Sequence, residues 1–329
     1  MSTTPASPTL PSLLIVSPAL ADANNGNWHT ASRWARMLRN HCRIGIAQRW
    51  DGAPCDLLIA LHARRSAPSI AAWSEARPDR PLVVVLTGTD LYRDIRTDAA
   101  AQRSLQQATH LVVLQEQGRL ELEPALREKC HVIYQSAPKL AATEPPRRAL
   151  RVVSVGHLRD EKDPETFMRA AVRLAHRREL RFEQIGAALD PRFEAAAART
   201  AAACPTYRWL GALPRAATRQ RIRRAHLLAN CSLMEGGAQV VIEAACSGTA
   251  VLASRIPGHV GLLGAGHAGW FEVGDDAGLA RLVERAADAP EFLARLRAQT
   301  IARSALFEPA EEAARLTELV RSALSPRTP

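Results

Sequence analysis

Residues 56–61 read DLLIAL, residues 82–86 LVVVL and residues 111–114 LVVL. A strand with one face in water alternates apolar and polar residues. A strand that is apolar at nearly every position must be covered on both faces, and in a soluble chain that means a parallel sheet wrapped by helices. Further runs fit the same reading: Leu13–Val16, Val132-Ile133, Val152–Val155, Phe182–Ile185, Leu227-Leu228 and Val251–Ala253. Helix-period segments lie between them, among them Thr30–Leu38 with Trp34 and Leu38 inward, Pro164 to about Leu174, Phe193–Ala203 and Ala216–Ala225. Ser136–Arg148 (SAPKLAATEPPRR) has three prolines and no apolar period, so it reads as a linker. The expected organisation is α/β: a first domain over 1–136, a linker over 137–148 and a second domain over 149–307. A last helix follows in 308–329. Residues 1–11 read as disordered, and the glycine-rich stretch Ser254–Gly269 reads as a loop before helices at Ala277–Ala287 and Pro290–Arg303. No fixed-period repeat appears.

Composition narrows the function classes. Of 329 residues, 47% are hydrophobic and 23% charged, the balance of a soluble globular protein. A net charge of +10 and a pI near 10.0 call for an anionic partner. Nucleic acid is one such partner. The arginines, however, are spread over many helices without a basic tail or an aromatic-interleaved patch, so small phosphorylated ligands account for the charge as well. Six scattered cysteines with no CxxC pair argue against a disulfide framework or a zinc site and suit a reducing cytoplasm. The first residues lack a basic signal region, and no run approaches the ~20 apolar residues of a membrane span. The expectation is a cytoplasmic protein without membrane or nucleic-acid partners; the sequence carries no mark of an oligomeric state.

In parallel sheets, ligands sit beyond the carboxyl ends of the strands. Two polar clusters fall at such ends in the first half. His62, Arg64 and Arg65 follow DLLIAL, and Thr87, Thr89, Asp90 and Arg93 follow LVVVL. Taken singly, Arg65 and Arg93 are ordinary surface arginines. Together the two clusters predict one crevice with cations and donors for an anionic group. A third corner is NNGN before the first helix, a phosphate- or sugar-binding candidate with Gly26 assigned to a donor substrate and Asn27 to an acceptor; for the loop taken alone, a plain strand-to-helix turn is the better reading.

The second half offers SLMEGGAQVVIEAACSGTAV (Ser232–Val251). Gly236 and Gly237 leave the backbone N–H groups through Ala238 and Gln239 open to an anion at the start of a helix. Glu235 precedes that loop, and Glu243, about two turns on, is positioned for hydroxyls of an attached sugar. A glutamate before a helix is also an ordinary end charge, and GG an ordinary turn. Just past another strand end lie His157, Arg159 and Lys162 in GHLRDEK. Converging cations and helix N–H groups would stabilise a diphosphate leaving group. There is no DxD motif, so no metal or other cofactor is expected.

GHLRDEK, WLGAL (Trp209–Leu213) and EGGAQVVIE together resemble the donor domain of family-4 glycosyltransferases. The resemblance implies the GT-B fold, two Rossmann-like doubly wound parallel-sheet domains facing a cleft, with the last helix packed on the first domain. It implies that Lys162 and a basic neighbour hold a nucleotide diphosphate, that Glu243 binds ribose, that Glu235 faces the donor sugar, and that Leu213 belongs to the same site. The family commonly has Arg directly after the strand-end glycine, where this chain has His157, with Arg159 two residues later.

A narrower likeness spans most of the chain. NGNWHTASRWA, DLLIALHARRSA, VVVLTGTDLYRDI and MEGGAQVVIEAACSGTAVLASRIPGHVGLLG resemble the selenosugar synthases of selenoneine biosynthesis. His259 and the Gly266-His267 pair depart from that family's usual residues. The resemblance implies transfer of a sugar from UDP-N-acetylglucosamine or UDP-glucose to selenophosphate, with a C–Se bond formed and UDP released. A selenium anion is already ionised and needs no strong base; its phosphoryl oxygens need cations and donors. Asp90, a carboxylate among them, is expected to bind sugar hydroxyls or orient an arginine. Two other readings stay open: a glycosyltransferase with a hydroxyl or thiol acceptor, in which Asp90 or His62 is the base, and a non-catalytic nucleotide- or nucleic-acid-binding α/β protein. A dinucleotide dehydrogenase is disfavoured because GxGxxG is absent.

Overall fold

The computed structural model describes residues 10–20, 26–141, 143 and 148–325. The expected disorder at 1–9, the Asn24-Asn25 turn, and positions 142 and 144–147 of the expected linker lie outside the described residues. The chain divides into two compact units, residues 1–133 with 310–329, and residues 134–309.

The first unit holds β1 (Ser12–Val16), β2 (Arg43–Ala47), β3 (Leu57–Leu61), β4 (Leu82–Leu86), β5 (His110–Val113) and β6 (Cys130–Val132). They form a six-stranded sheet in the order β2-β1-β3-β4-β5-β6, with every pairing parallel. The unbroken apolar runs do what their composition requires. Leu58, Ala60, Leu82 and Val84 point to one face, with Ile70 and Trp73 of α2 (Ala67–Ala76) and Leu105 of α3 (Ala99–Gln107). Leu57, Ile59, Val83 and Val85 point to the other, with Trp34 and Leu38 of α1 (Gly26–Leu38). Period-two alternation with both faces covered is why no position could be polar.

β2 is absent from the sequence reading, because it is an edge strand paired only with β1 and partly exposed, so RIGIA needs no continuous apolar run. The C-terminal helix (Pro309–Leu324) adds Leu316, Leu319 and Val320 to the α1 face. Glu312 fixes it there, accepting from Arg33 Nε at 2.9 Å and Trp34 Nε1 at 2.7 Å in a buried setting.

The second unit holds β7 (Leu150–Val155), β8 (Leu180–Ile185), β9 (Tyr207–Trp209), β10 (Leu227–Asn230), β11 (Ala250–Ser254) and β12 (Trp270–Phe271). They form a second six-stranded parallel sheet in the order β12-β11-β10-β7-β8-β9. The chain winds outward one way from β7 and the other way from β10, which makes the gap between their carboxyl ends the topological switch point. Helices flank the sheet: α4 (Pro164–Arg173), α5 (Pro191–Ala203), α6 (Arg215–Arg223), α7 (Gln239–Ala245), α8 (Pro257–Leu263), α9 (Asp276–Asp288) and α10 (Pro290–Ala302). α4 and α5 each start with proline directly after an aspartate whose side chain caps the first turn, a pairing that presets the backbone and satisfies a free N–H.

Two expectations change. Ser254–Gly269 is not all loop: α8 occupies its middle, begun by Pro257 and anchored by buried Leu262 and Leu263. Residues 137–141 of the expected linker are a bonded strip on the second unit. Ala137 N–H donates to Phe307 O, Leu140 N–H donates to Cys246 O, and Lys139 pairs with Glu308. No helix among the described residues is long and apolar enough to cross a membrane, and the six cysteines are free thiols.

Candidate functional sites

Two loops meet at the β7/β10 switch point. After β7, Gly156 takes φ 155°, and a single turn (Asp160–Lys162) ends at Asp163 in the left-handed region with φ 41°. Asp163 Oδ2 accepts from Thr166 Oγ1 at 2.5 Å, which offsets the strain and fixes where the loop ends. The loop folds the Lys162 stem over Gly156, where a side chain would lie 3.5 Å from it. Lys162 Nζ then donates to Glu235 Oε1 at 2.5 Å.

After β10, Asn230 Oδ1 accepts from the N–H and hydroxyl of Ser232, and the Ser232 hydroxyl lies 2.7 Å from Glu235 Oε1. Leu233 N–H donates to Glu161 O, tying the two loops together. Glu235 is buried on the far side by α8. A Cβ on Gly258 would sit 2.0 Å from the Glu235 carbonyl oxygen, so only glycine permits this approach. His259 is fully buried, and its Nδ1 donates to Ser254 O at 2.8 Å. Burial alone would raise the Glu235 pKa, but Lys162, then His259, and the hydrogen bonds from Lys162 and Ser232 outweigh it and hold the carboxyl below its ordinary value.

Of the other residues expected here, Arg159 lies in the same β7 loop, half-exposed, with Glu161 Oε2 3.7 Å away. His157 turns its Nδ1 to the Ala187 N–H at 3.2 Å and so braces the loop against the end of β8. Gly236, Gly237 and Ala238 form the turn into α7, whose seven residues begin at Gln239. Glu243 is therefore one helical turn into α7, about 6 Å along its axis, rather than two. Its buried carboxylate is met by Arg215 Nη2 at 3.2 Å and Arg219 Nε at 3.8 Å, both on α6, which starts just after Leu213-Pro214. Burial raises the Glu243 pKa and the two arginines only partly counter it. Gln239 Nε2 donates to Ser136 O at 3.2 Å.

The first unit gathers its cluster at the ends of β3 and β4. His62 is buried at φ 74°, a conformation that strains a non-glycine residue. Its N–H donates to Val85 O, its Nδ1 accepts from Arg65 N–H at 3.3 Å, and its Nε2 lies 3.0 Å from Thr89 Oγ1. Burial lowers its pKa, Asp90 opposes that, Arg65 adds to it, and the net shift is downward, so the ring is neutral at neutral pH.

Asp90 departs from expectation. Its fully buried carboxylate accepts from the backbone N–H groups of Ala63, Thr87 and Gly88 at 2.9–3.0 Å, lashing the two strand ends together. The arginines are held instead by Asp94, which the sequence reading did not single out: Arg64 Nε is 2.9 Å and Arg93 Nε 3.1 Å from its two oxygens. Arg65 is exposed. Gly26 and Asn27 open α1 in this same unit, after β1, the parallel neighbour of β3, with Gly26 O accepting from Thr30 Oγ1.

The residues missed are thus Asp94, Arg215, Arg219 and Ser232. The available signals were Asp94 four positions after Asp90 and two arginines at four-residue spacing opening a helix. Among the described residues, no three His, Cys, Asp or Glu side chains converge as a metal site.

The family model for glycosyl transferases group 1 matches residues 139–303, half of the chain. Among solved structures, the chain is similar to HepE of Anabaena in complex with UDP-glucose, with 15% identity, TM-score 0.76, and coverage of 95% of this chain and 100% of that one. It is similar to sucrose-phosphate synthase of Thermosynechococcus elongatus, with 16% identity, TM-score 0.74, and coverage of 95% and 98%. It is also similar to the pneumococcal O-GlcNAc transferase GtfA in complex with UDP and GlcNAc, with 17% identity, TM-score 0.68, and coverage of 82% and 57%. A comparison with curated proteins finds no match. At these identities the structural likeness speaks for the fold, which is GT-B: two Rossmann-like units, each with a parallel six-stranded sheet.

Proposed function

The chain belongs to the glycosyl transferases group 1, and we propose that it transfers a sugar from UDP-N-acetylglucosamine or UDP-glucose to selenophosphate. The observation that carries the donor half is the Lys162–Glu235 pair at the β7/β10 switch point, 2.5 Å apart. A carboxylate kept ionised beside a lysine suits a site where a diphosphate takes the cation and the sugar hydroxyls take the carboxylate. In this reading Lys162 and Arg159 hold the diphosphate, the N–H groups of Gly236 to Gln239 lie along it, Glu243 with Arg215 holds the ribose, and Glu235 holds the sugar. The α7 loop and Leu213 complete the donor assignment. The charge that develops on UDP is met by the cations, so no metal is invoked.

On the acceptor side the support is the cluster of Arg64, Arg65, Arg93, Thr87, Thr89 and neutral His62. The selenium atom attacks the anomeric carbon, the bond from that carbon to the diphosphate oxygen breaks, and its electron pair leaves on UDP. No proton has to be removed from the nucleophile; transfer of the phosphoryl group to water, breaking the P–Se bond, then gives the free selenosugar and inorganic phosphate. Asp90 is part of the scaffold of this cluster, and Gly26 and Asn27 are further assignments of the same reading.

The test is UDP release on incubation with either UDP-sugar and selenophosphate, thiophosphate or simple alcohols, with mass spectrometry of the product. Selenophosphate-dependent UDP release and a product carrying sugar and selenium joined by a C–Se bond are expected. Release that depends on an alcohol and ignores selenophosphate refutes the proposed acceptor.

A further inference from the structure

We propose that Asp94 is a positioning residue that sets Arg64 and Arg93 as a two-armed clamp for a tetrahedral oxyanion of the phosphate class. This rests on reading the β3/β4 cluster as the acceptor site. The two aspartates of the DLYRD segment lie in one π-helical turn, Asp90–Asp94, and the structure divides their work. Asp90 is taken up by three backbone N–H groups. Asp94 is 5% exposed at its side chain, while the guanidinium-bearing side chains it meets are 41% and 46% exposed. One buried anion thus grips two outward-reaching cations.

Arg93 Nε donates to Asp94 Oδ1 at 3.1 Å, and Arg64 Nε lies 2.9 Å from Asp94 Oδ2 as an ion pair, so both guanidiniums meet the carboxylate at Nε. A guanidinium carries five N–H donors, so one anchored at Nε can still pair with the oxygens of a phosphoryl group. The anchoring also fixes in advance the side-chain freedom a binding arginine otherwise loses on binding. Thr89 and His62 close the base of the cluster: His62 Nε2 lies 3.0 Å from Thr89 Oγ1 and 3.9 Å from Asp94 Oδ2. Arg64, Arg65 and Arg93 outnumber Asp90 and Asp94, so the cluster keeps positive charge for an anion even with both carboxylates ionised.

The experiment uses the full chain and inorganic phosphate as the probe, titrated calorimetrically with saturating UDP present so that phosphate does not report on the second unit. The wild type is expected to bind phosphate, with Asp94→Asn about ten-fold weaker or more, Asp94→Glu recovering part of the loss, and Arg64→Ala as weak as Asp94→Asn. In turnover assays Asp94→Asn raises the acceptor KM far more than it changes the UDP-sugar KM; a merely structural role would move both, along with Tm. Asp90→Asn, by contrast, lowers Tm. Phosphate affinity in Asp94→Asn equal to the wild type overturns the proposal, and so does a wild type that binds no phosphate in the presence of UDP. Intact, Asp94-dependent phosphate binding without selenophosphate turnover refutes the proposed reaction and leaves the clamp standing.

Discussion

Gly258→Ala tests the proposed donor site mechanically. The added Cβ would lie 2.0 Å from the Glu235 carbonyl oxygen and 2.9 Å from its carbonyl carbon. These are backbone atoms, and real Cβ contacts do not fall below 3.0 Å, so α8 and the Glu235 loop must separate by about 1 Å or more. Overpacking of this kind costs about 1–3 kcal/mol. The gain from placing alanine in a helix, roughly 0.5–1 kcal/mol, reduces the net but does not cancel the clash. For a unit of this size each kcal/mol moves Tm by about 2–4 °C.

Function should suffer more than stability. The displaced atoms carry the carboxylate that Lys162 and Ser232 hold at 2.5 and 2.7 Å, and a misplacement of about 1 Å at a catalytic group costs about 100-fold in rate. The assay is UDP release with the preferred UDP-sugar, beside a thermal melt of the same preparation. Gly266→Ala serves as the control, because nothing lies within 4 Å of its Cβ. Turnover and Tm for Gly258→Ala indistinguishable from the control would refute the argument that this contact fixes Glu235.

Three further outcomes follow from the same geometry. Glu243→Ala should raise the UDP-sugar KM about ten-fold or more with kcat nearly kept, whereas Glu235→Ala should lower kcat about 100-fold; equal effects on both parameters would mean that the division of roles is wrong. In melts across pH, the Glu235 contribution is present above its ordinary carboxyl value of 4.5 and is lost as pH falls through its lowered value, so the penalty of Glu235→Gln should vanish in acid. Glu243 has the opposite sign: its raised pKa makes its stabilisation fade as pH rises above 4.5, so Glu243→Gln should gain on the wild type over that rise, and a parallel pair of curves contradicts this. Glu312→Ala removes one partner of the buried pair with Arg33 and should cost about 3–5 kcal/mol in urea unfolding; a loss below about 1 kcal/mol would show that the C-terminal helix is held by its apolar face alone.

What the sequence disclosed tracks what local physics can encode. A central parallel strand has to be apolar at every position, and β3 and β4 announce themselves for that reason. An edge strand has no such requirement, so RIGIA passes unnoticed. The strand ends are legible too, because polar residues immediately after such strands have nowhere else to lie, and Lys162, Glu235, His62 and Asp90 all fall just past strand ends. The helix at Pro257–Leu263 was hidden because its glycines look like loop. At Gly258 the missing side chain is a packing requirement set by Glu235, a residue 23 positions away.

Partner choice follows a different logic, and here the sequence falls silent. Lys162 meets Glu235 across 73 positions and Arg215 meets Glu243 across 28; nothing local marks either pair. Asp90 and Asp94 make the point most sharply. They are the same residue type, four positions apart, in one cluster of threonines and arginines, and the sequence offers no ground for ranking them. The π-helical turn does. Its wider winding turns Asp90 back under the N–H groups of two strand ends and leaves Asp94 beside two guanidiniums. A carboxylate whose oxygens are filled by backbone donors has no capacity left to orient a cation. The residue that draws the eye in the sequence is therefore the scaffold, and its quieter neighbour is the one that meets the two arginines.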